Sequence, residues 1–196
     1  MVRNELIVSI RATLVTLVLL GLAYPLVTTG FAVVLFPSRA HGSFVDNNVG
    51  SELIAQPFGN AGYLQPRPSA AGDKGFDAAG SSGSNLGPTS KALHDRMEKD
   101  AQRLLQENPD AQGPIPAELV SASGSGLDPH LSPAAALWQV PRIAKARNVE
   151  EARVRAVIEG NVEHRDLGFL GEPRVNVLRV NLAFDEHFGR PPVAAR

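Results

Sequence analysis

The chain contains no cysteine, which excludes disulfides, thiolate nucleophiles and the soft ligands of most structural metal sites. It has no excess of charge: 19 basic against 20 acidic residues leave a net charge of −1 at pH 7. A nucleic-acid surface would show as a basic excess, so nucleic acid is not among the expected partners. Aromatic residues are scarce at 6%, so a soluble core must be built largely from aliphatic side chains. Catalytic signatures are missing as well. No lysine completes a G-x-x-x-x-G-K-[ST] phosphate loop, and there is no G-x-S-x-G nucleophile elbow. Gly124-Ser125-Gly126 starts like a dinucleotide fingerprint, but Pro129 stands where the third glycine belongs. His41, His94, His130, His164 and His187 form no H-x-x-x-H pair, and no metal site is expected.

What the chain does have is one long apolar run, Ala12 to Phe36, without a charged residue. At 1.5 Å per residue a helix of this length extends about 37 Å, against about 30 Å for the hydrocarbon core of a bilayer. It is expected to span a membrane. A cleaved signal peptide is the other reading, since Ser38-Arg39-Ala40 offers small residues at the right spacing. The run is, however, much longer than the roughly 7–15 residues of a signal's apolar region. Residues 1–11, with Arg3 and Arg11 against Glu5, are expected in the cytoplasm. Residues 37–190, entered through Arg39, Asp46 and Glu52, are expected outside it by the positive-inside rule.

Tyr24-Pro25 lies mid-span, with Thr13, Thr16, Thr28, Thr29, Gly21 and Gly30 around it. Hydroxyls and small residues of this kind suit helix–helix contact in membranes. A passive anchor kinked at Pro25 is the alternative.

The rest reads as a single loop-rich α+β domain. Glu52–Ala55 and Ile115–Ser121 are short candidate strands, and Tyr63–Ala70 is extended because Pro66 and Pro68 disfavour helix before them. Gly72–Gly87 reads as a loop. A helix is expected to start at Pro88, bury Leu93, Met97, Ala101, Leu104 and Leu105, and stop at Asn108-Pro109. Ser132-Pro133 reads as cap and first residue of a helix interrupted at Pro141. Asn148 with Glu151 suggests a capping box for a further helix ended by Gly160. Val175–Phe184, with Leu178, Val180, Leu182 and Phe184 alternating against Arg179, Asn181 and Ala183, is expected as the best strand. Residues 191–196, with Pro191-Pro192, are expected as a flexible tail.

Ser123 and Ser125 near Asp128 and His130 include the residue types of a hydrolytic triad, but Asp-Pro-His more often builds a turn in which the aspartate bonds backbone amides. Arg142, Lys145 and Arg147 read as a solvated face paired with Glu150 and Glu151.

These segments together resemble the C subunit of the Kdp potassium-transporting P-type ATPase. The resemblance runs through Tyr24-Pro25-Leu26 with Thr29-Gly30, Leu35-Phe36-Pro37, and Gly42-Ser43. It continues through Gly50-Ser51 with Leu53-Ile54 and Gln56-Pro57-Phe58, then Tyr63 with Arg67-Pro68-Ser69-Ala70. Gly83-Ser84-Asn85-Leu86-Gly87-Pro88 and Ser123–His130 with Ser132-Pro133 are its most specific parts, and Leu170–Leu178 with Asn181-Leu182-Ala183 closes it. Arg39, His41 and Ala55 depart from the family pattern at the membrane exit and just beyond.

The resemblance implies a non-catalytic accessory subunit beside separate channel-like, potassium-binding and ATP-hydrolysing chains in a bacterial cell (inner) membrane. It implies membrane packing by Tyr24, Pro25, Thr28, Thr29 and Gly30. It also implies structural or docking roles for Arg67, Pro68, Ser69, Ser84, Asn85, Gly87, Ser123, Gly124, Ser125, Gly126, Asp128, His130, Arg174 and Asn176. No cofactor is expected to bind firmly; ATP could act through the complex, with Gln139, Arg142 and Lys145 as possible phosphate contacts. A membrane-anchored extracytoplasmic binding module or enzyme is the rival reading.

Overall fold

The structure, a computed structural model, describes residues 2–45 and 49–192. It divides into two compact units, Met1–Val49 and Gly50–Arg196.

The first unit is the long helix. Helix α1, Val2–Val18, passes through a five-residue π-turn, Leu19–Ala23, into α2, Tyr24–Leu35. Val2–Leu35 is long and apolar enough to cross a membrane, and its most apolar window has no buried residue. The irregularity falls where Pro25 demands it. A proline donates no backbone hydrogen bond and its ring crowds the preceding turn. The helix accordingly widens just ahead of it, and the Tyr24 N–H bonds the Leu19 carbonyl five residues back. The Thr28 hydroxyl donates to the Tyr24 and Pro25 carbonyls at 2.9 and 3.1 Å, and Thr16 donates to Ala12 and Thr13. Each of these two hydroxyls thus donates its proton within its own helix and keeps its oxygen lone pairs as acceptors. A single helical turn, α3 (Pro37–Ala40), and a brief strand, β1 (Phe44–Val45), follow.

The second unit opens with β2, Gly50–Ser51, and then a long irregular stretch to α4, Lys91–Glu107. A 3₁₀ turn at Ala117–Leu119 and strand β3, His130–Leu131, lead into helices α5 (Pro133–Trp138), α6 (Val140–Arg147) and α7 (Glu151–Gly160). Strands β4 (Val162–Glu163) and β5 (Arg174–Asn176) and helix α8 (Val177–Phe188) complete it. β5 is the middle of an antiparallel sheet, order β3-β5-β4, with Val175 opposite both Leu131 and Val162. The helices close over the sheet to bury Leu131, Ile143, Val154, Ile158, Val175, Val180 and Phe184. The α+β expectation holds.

Several local expectations hold too. The Ser132 hydroxyl caps α5 by accepting the Ala135 N–H at 3.2 Å. Helix α5 ends at Trp138, and α6 restarts with Pro141 in its first turn, where a missing N–H costs nothing. Helix α4 ends at Asn108, and Leu104 is buried with Met97 and Ala101 packed on the core.

Others are corrected. The strand expected over Val175–Phe184 is three residues of β5 followed by α8, because the Asn176 side chain accepts the Arg179 N–H and starts a helix. Val177, Leu178, Val180, Asn181 and Phe184 are the buried positions, the i, i+1, i+3, i+4, i+7 set of one helical face and not an alternation. Glu52–Ala55 is a turn: the Ser51 hydroxyl accepts the Leu53 N–H and the Ser51 carbonyl accepts that of Ile54. Within Ile115–Ser121 the regular structure is the 3₁₀ turn. Helix α4 starts at Lys91 rather than Pro88, since Gly87–Ser90 is itself a hydrogen-bonded turn. Leu105 is exposed. Asn148 does not cap α7; with φ 53° it ends α6 in the left-handed conformation that asparagine tolerates, and Glu150 precedes α7. Of residues 191–196, Pro191 lies against Gly62 and the Pro192 carbonyl accepts from Asn60 at 2.8 Å; residues 193–196 lie outside the described residues.

Candidate functional site

The family-like loops converge on Ser123–His130. Gly126 has φ 68°, open to glycine but strained for other residues. A Cβ there would lie 2.5 Å from the Ser82 carbonyl oxygen and 2.8 Å from the Ala71 backbone nitrogen. The Ser69 hydroxyl donates to the Gly126 carbonyl at 2.6 Å and accepts the N–H groups of Ala71 and Phe76. Ser81 and Ser82 reach across to the carbonyls of Ser125 and Ala70. Gly83 approaches so closely that its Cβ would meet the Gly124 oxygen at 2.9 Å. Three stretches distant in sequence are thus laced together backbone to backbone, and the small residues are what permit it. Pro68 carries the chain between Arg67 and Ser69. Asn85 adopts φ 51°, while Ser84, Asn85 and Gly87 lead toward α4 without joining this lacing.

Asp128 is the polar centre of the loop. It accepts the His130 N–H at 3.0 Å and an Arg67 Nη1 bond at 3.2 Å. The turn expectation therefore holds. Its carboxyl is held below the usual range chiefly by the His130 ring, 3.7 Å away, against an opposing effect of burial, with the His130 N–H and Arg67 adding to the shift. The Ser123 and Ser125 hydroxyls lie 3.4 Å from each other, and Ser125 accepts the Leu127 N–H. These serines brace a turn. On the far side, the Pro129 carbonyl accepts the Val177 N–H, and Asn176 donates to the Glu52 carbonyl at 2.7 Å. Arg174 bonds Glu163 across β4–β5 at 2.9 Å. A shallow groove of about 510 Å³ over the loop is lined by Leu53, Ile54, Arg67 and Ser81 together with Ser123–Ser125 and Leu127–Pro129.

A second constellation holds the irregular segment 60–65. The Asn181 amide accepts the Leu64 N–H at 2.8 Å and donates to the Leu64 carbonyl at 2.9 Å. Gln139 does the same for Gln65, at 2.9 and 3.0 Å. Two side-chain amides thus stand in for the edge of a β-strand, satisfying backbone groups that burial would otherwise leave unpaired. Arg142 donates to the carbonyls of Ala61 and Tyr63 and to Gln139 Oε1 at 2.6, 3.1 and 2.6 Å. Burial lowers its pKa to about 10, partly offset by Glu107. Arg147 donates to the Gly62 and Gly189 carbonyls at 2.6 Å and pairs with Asp185 at 2.9 Å. The Arg147 guanidinium lies over the rings of Tyr63 and Phe184. Burial, then the Asp185 bond, pushes the Tyr63 hydroxyl up.

This corrects the basic run. Arg142 and Arg147 are buried, and their partners are loop carbonyls and Asp185 rather than solvent, Glu150 or Glu151. Gln139 and Arg142, named as phosphate contacts, do come together, but face inward with their polar groups engaged; Lys145 is exposed and lies 3.7 Å from Asp110. Asn181 is a site residue that the sequence motifs do not single out for a role of its own. A lone amide inside an apolar run was the available signal for Asn181.

Tyr24, Pro25, Thr29 and Gly30 lie on the uncovered long helix, far in sequence from these loops; Tyr24 is exposed and a Cβ on Gly30 would meet nothing within 4 Å. Among the described residues no three His, Asp or Glu side chains cluster as metal ligands. The site's hydroxyls, amides and guanidinium groups bond backbone, and this arrangement shapes a surface instead of presenting a nucleophile beside a base.

Comparison with known proteins agrees with that reading. A family model described as KdpC, the K+-transporting ATPase c chain, matches residues 6–186. The chain is 56% identical over 196 residues to the potassium-transporting ATPase KdpC subunit of Myxococcus xanthus, covering 98% of this chain and 92% of that one. It is 50% identical to the KdpC subunit of Methylobacterium nodulans, covering 96% and 98%, and 48% identical to that of Koribacter versatilis, covering 93% and 95%. With a match that spans the long helix and the laced loops alike, the chain belongs to the KdpC family of K+-transporting ATPase c chains.

Proposed function

We propose that this chain is a non-catalytic, membrane-anchored subunit of an ATP-driven potassium-uptake complex, in contact with a channel-like potassium-binding subunit and an ATP-hydrolysing subunit. The observation that carries the reading is the family match over residues 6–186, joined to a loop site whose polar groups are spent on holding backbone. The span contributes an uncovered apolar surface with an irregular turn before Pro25, a shape suited to packing on another membrane helix. The charge asymmetry of Arg3 and Arg11 before the span supports a cytoplasmic N-terminus and an outer location for Gly50–Arg196 in a bacterial cell (inner) membrane.

In that orientation ATP does not reach Gln139, Arg142 or Lys145. Any effect of this chain on the ATP affinity of the pump subunit is then transmitted through the membrane helix. Two experiments test the proposal. The tagged chain, extracted in mild detergent, should co-elute with both partner subunits; recovery as a lone, monodisperse protein would overturn the assembly. Protease added to intact spheroplasts should digest the second unit, and digestion only after lysis would reverse the orientation.

A further inference from the structure

Between β4 and β5 the chain makes an excursion, residues 164–173, that ends in Leu167-Gly168-Phe169-Leu170. These apolar side chains are not tucked into the core: Leu167 is 83% exposed, Phe169 69% and Leu170 50%. The excursion is nonetheless well ordered by bonds. Asp166 and Leu170 exchange two backbone hydrogen bonds at 2.9 Å, and Gly168 N–H bonds the Arg165 carbonyl at 3.1 Å. An Arg165–Glu172 ion pair at 2.6 Å closes its base.

Leu167 itself has φ 54° and Gly168 φ 82°. A positive φ is uncommon for any residue other than glycine, asparagine or aspartate, and is an outlier for a bulky one. Leucine at 167 is thus disfavoured twice by the chain on its own, once in backbone conformation and once in exposure. Asparagine would relieve both. Strain and exposed apolar surface that a fold does not use are signs of a site used by something else.

We infer that Leu167, Phe169 and Leu170 form a rigid apolar knob that seats in a concave apolar socket, rimmed by charges of both signs, on a partner subunit of the same ATPase. The inference rests on the subunit reading above. Charge at the base favours a protein socket over lipid. Arg165 and Glu172 flank the knob, and Asp166 stands beside it, so that it offers paired complementarity and no basic excess for an anionic bilayer. Shape points the same way. The hydrogen bonds fix the knob before binding, which lowers the ordering cost of filling a matched cavity.

The test uses the full-length chain. Leu167→Asn should leave the unfolding midpoint unchanged or raised while weakening recovery of the assembled complex by about tenfold, the scale of one central interface anchor. Phe169→Ser should also weaken assembly. An unimpaired complex with both variants overturns the knob alone; failure of the wild-type chain to recruit any subunit overturns the subunit reading with it. Because the chain has no cysteine, Phe169→Cys can carry a single polarity-sensitive fluorophore. Its emission should shift to the blue in the assembled complex and remain that of a water-exposed label when the chain is alone in nanodiscs. A blue shift in nanodiscs without the partners would assign the knob to lipid and overturn the socket.

Discussion

Gly126 gives the sharpest quantitative test of the laced loops. Gly126→Ala adds one methyl at φ 68°, 2.5 Å from the Ser82 oxygen and 2.8 Å from the Ala71 nitrogen. The left-handed backbone costs a non-glycine residue roughly 1–2 kcal/mol. The contacts are with backbone atoms and the Ala71 Cβ, none of which can swing aside as a longer side chain would, so overpacking adds about 1–3 kcal/mol. The total, about 2–5 kcal/mol, is a large fraction of the roughly 5–15 kcal/mol that stabilises a typical domain. For a unit of this size it should lower the melting temperature by about 4–20 °C. Gly124→Ala, two residues away, is the control, because a Cβ there meets nothing within 4 Å. The assay is thermal or urea unfolding of the full-length chain in detergent, followed by circular dichroism. Equal unfolding midpoints for the two variants would refute the argument that close backbone approach fixes this loop.

Four further variants test the remaining parts of the account. Asn181→Ala strips both partners from the Leu64 backbone and should destabilise the unit by about 2–5 kcal/mol, from two unsatisfied buried groups and the lost packing; denaturant unfolding measures it, and a loss under 1 kcal/mol would contradict the clamp. Asp128 has a lowered folded pKa, so its stabilisation is present above the unfolded carboxylate value and lost as pH falls through the folded one. Asp128→Asn should therefore be less stable than the wild type at pH 7, with the gap narrowing below about pH 4; a gap independent of pH would refute the electrostatic account. In the span, Tyr24→Phe should weaken complex recovery slightly or not measurably, since membrane hydrogen bonds are worth only about 0.6–2 kcal/mol. Replacing Ala12–Phe36 with a leucine-alanine helix should leave the chain inserted but unassembled; a fully recovered complex would reduce the helix to a tether.

The parts legible in sequence are those set by one strong local rule. The absence of charge over Ala12–Phe36 identifies the long helix, Pro25 locates its irregularity, and Ser132-Pro133 and Pro141 mark the start of α5 and the break before α6. The loop motifs identified the family and the right segments. What the sequence concealed was how those segments use their polar groups. Asn181 looked like the outward face of a strand because amides are usually exposed; here it is buried and stands in for a strand edge against Leu64. Leu178, Val180 and Phe184 fit both alternation and a helical face over so short a run, so the apolar pattern alone does not separate a strand from α8. Arg142 and Arg147 looked solvated for the same reason. Their partners are carbonyls some 80 residues away, a pairing that only the tertiary structure creates. Gln139 and Arg142 likewise spend polar groups on the backbone of residues 61–65.

The central claim is that this chain is a required but non-catalytic member of the potassium-transporting ATPase. Its most direct test is potassium-stimulated ATP hydrolysis by the partner subunits, purified from cells with and without this chain, measured over a range of ATP concentrations. The account predicts that hydrolysis is lost or its apparent ATP affinity reduced without the chain, that adding the chain back restores it, and that the chain alone hydrolyses no ATP. Full potassium-stimulated activity at unchanged ATP affinity in its absence, or hydrolysis by the isolated chain, would contradict it.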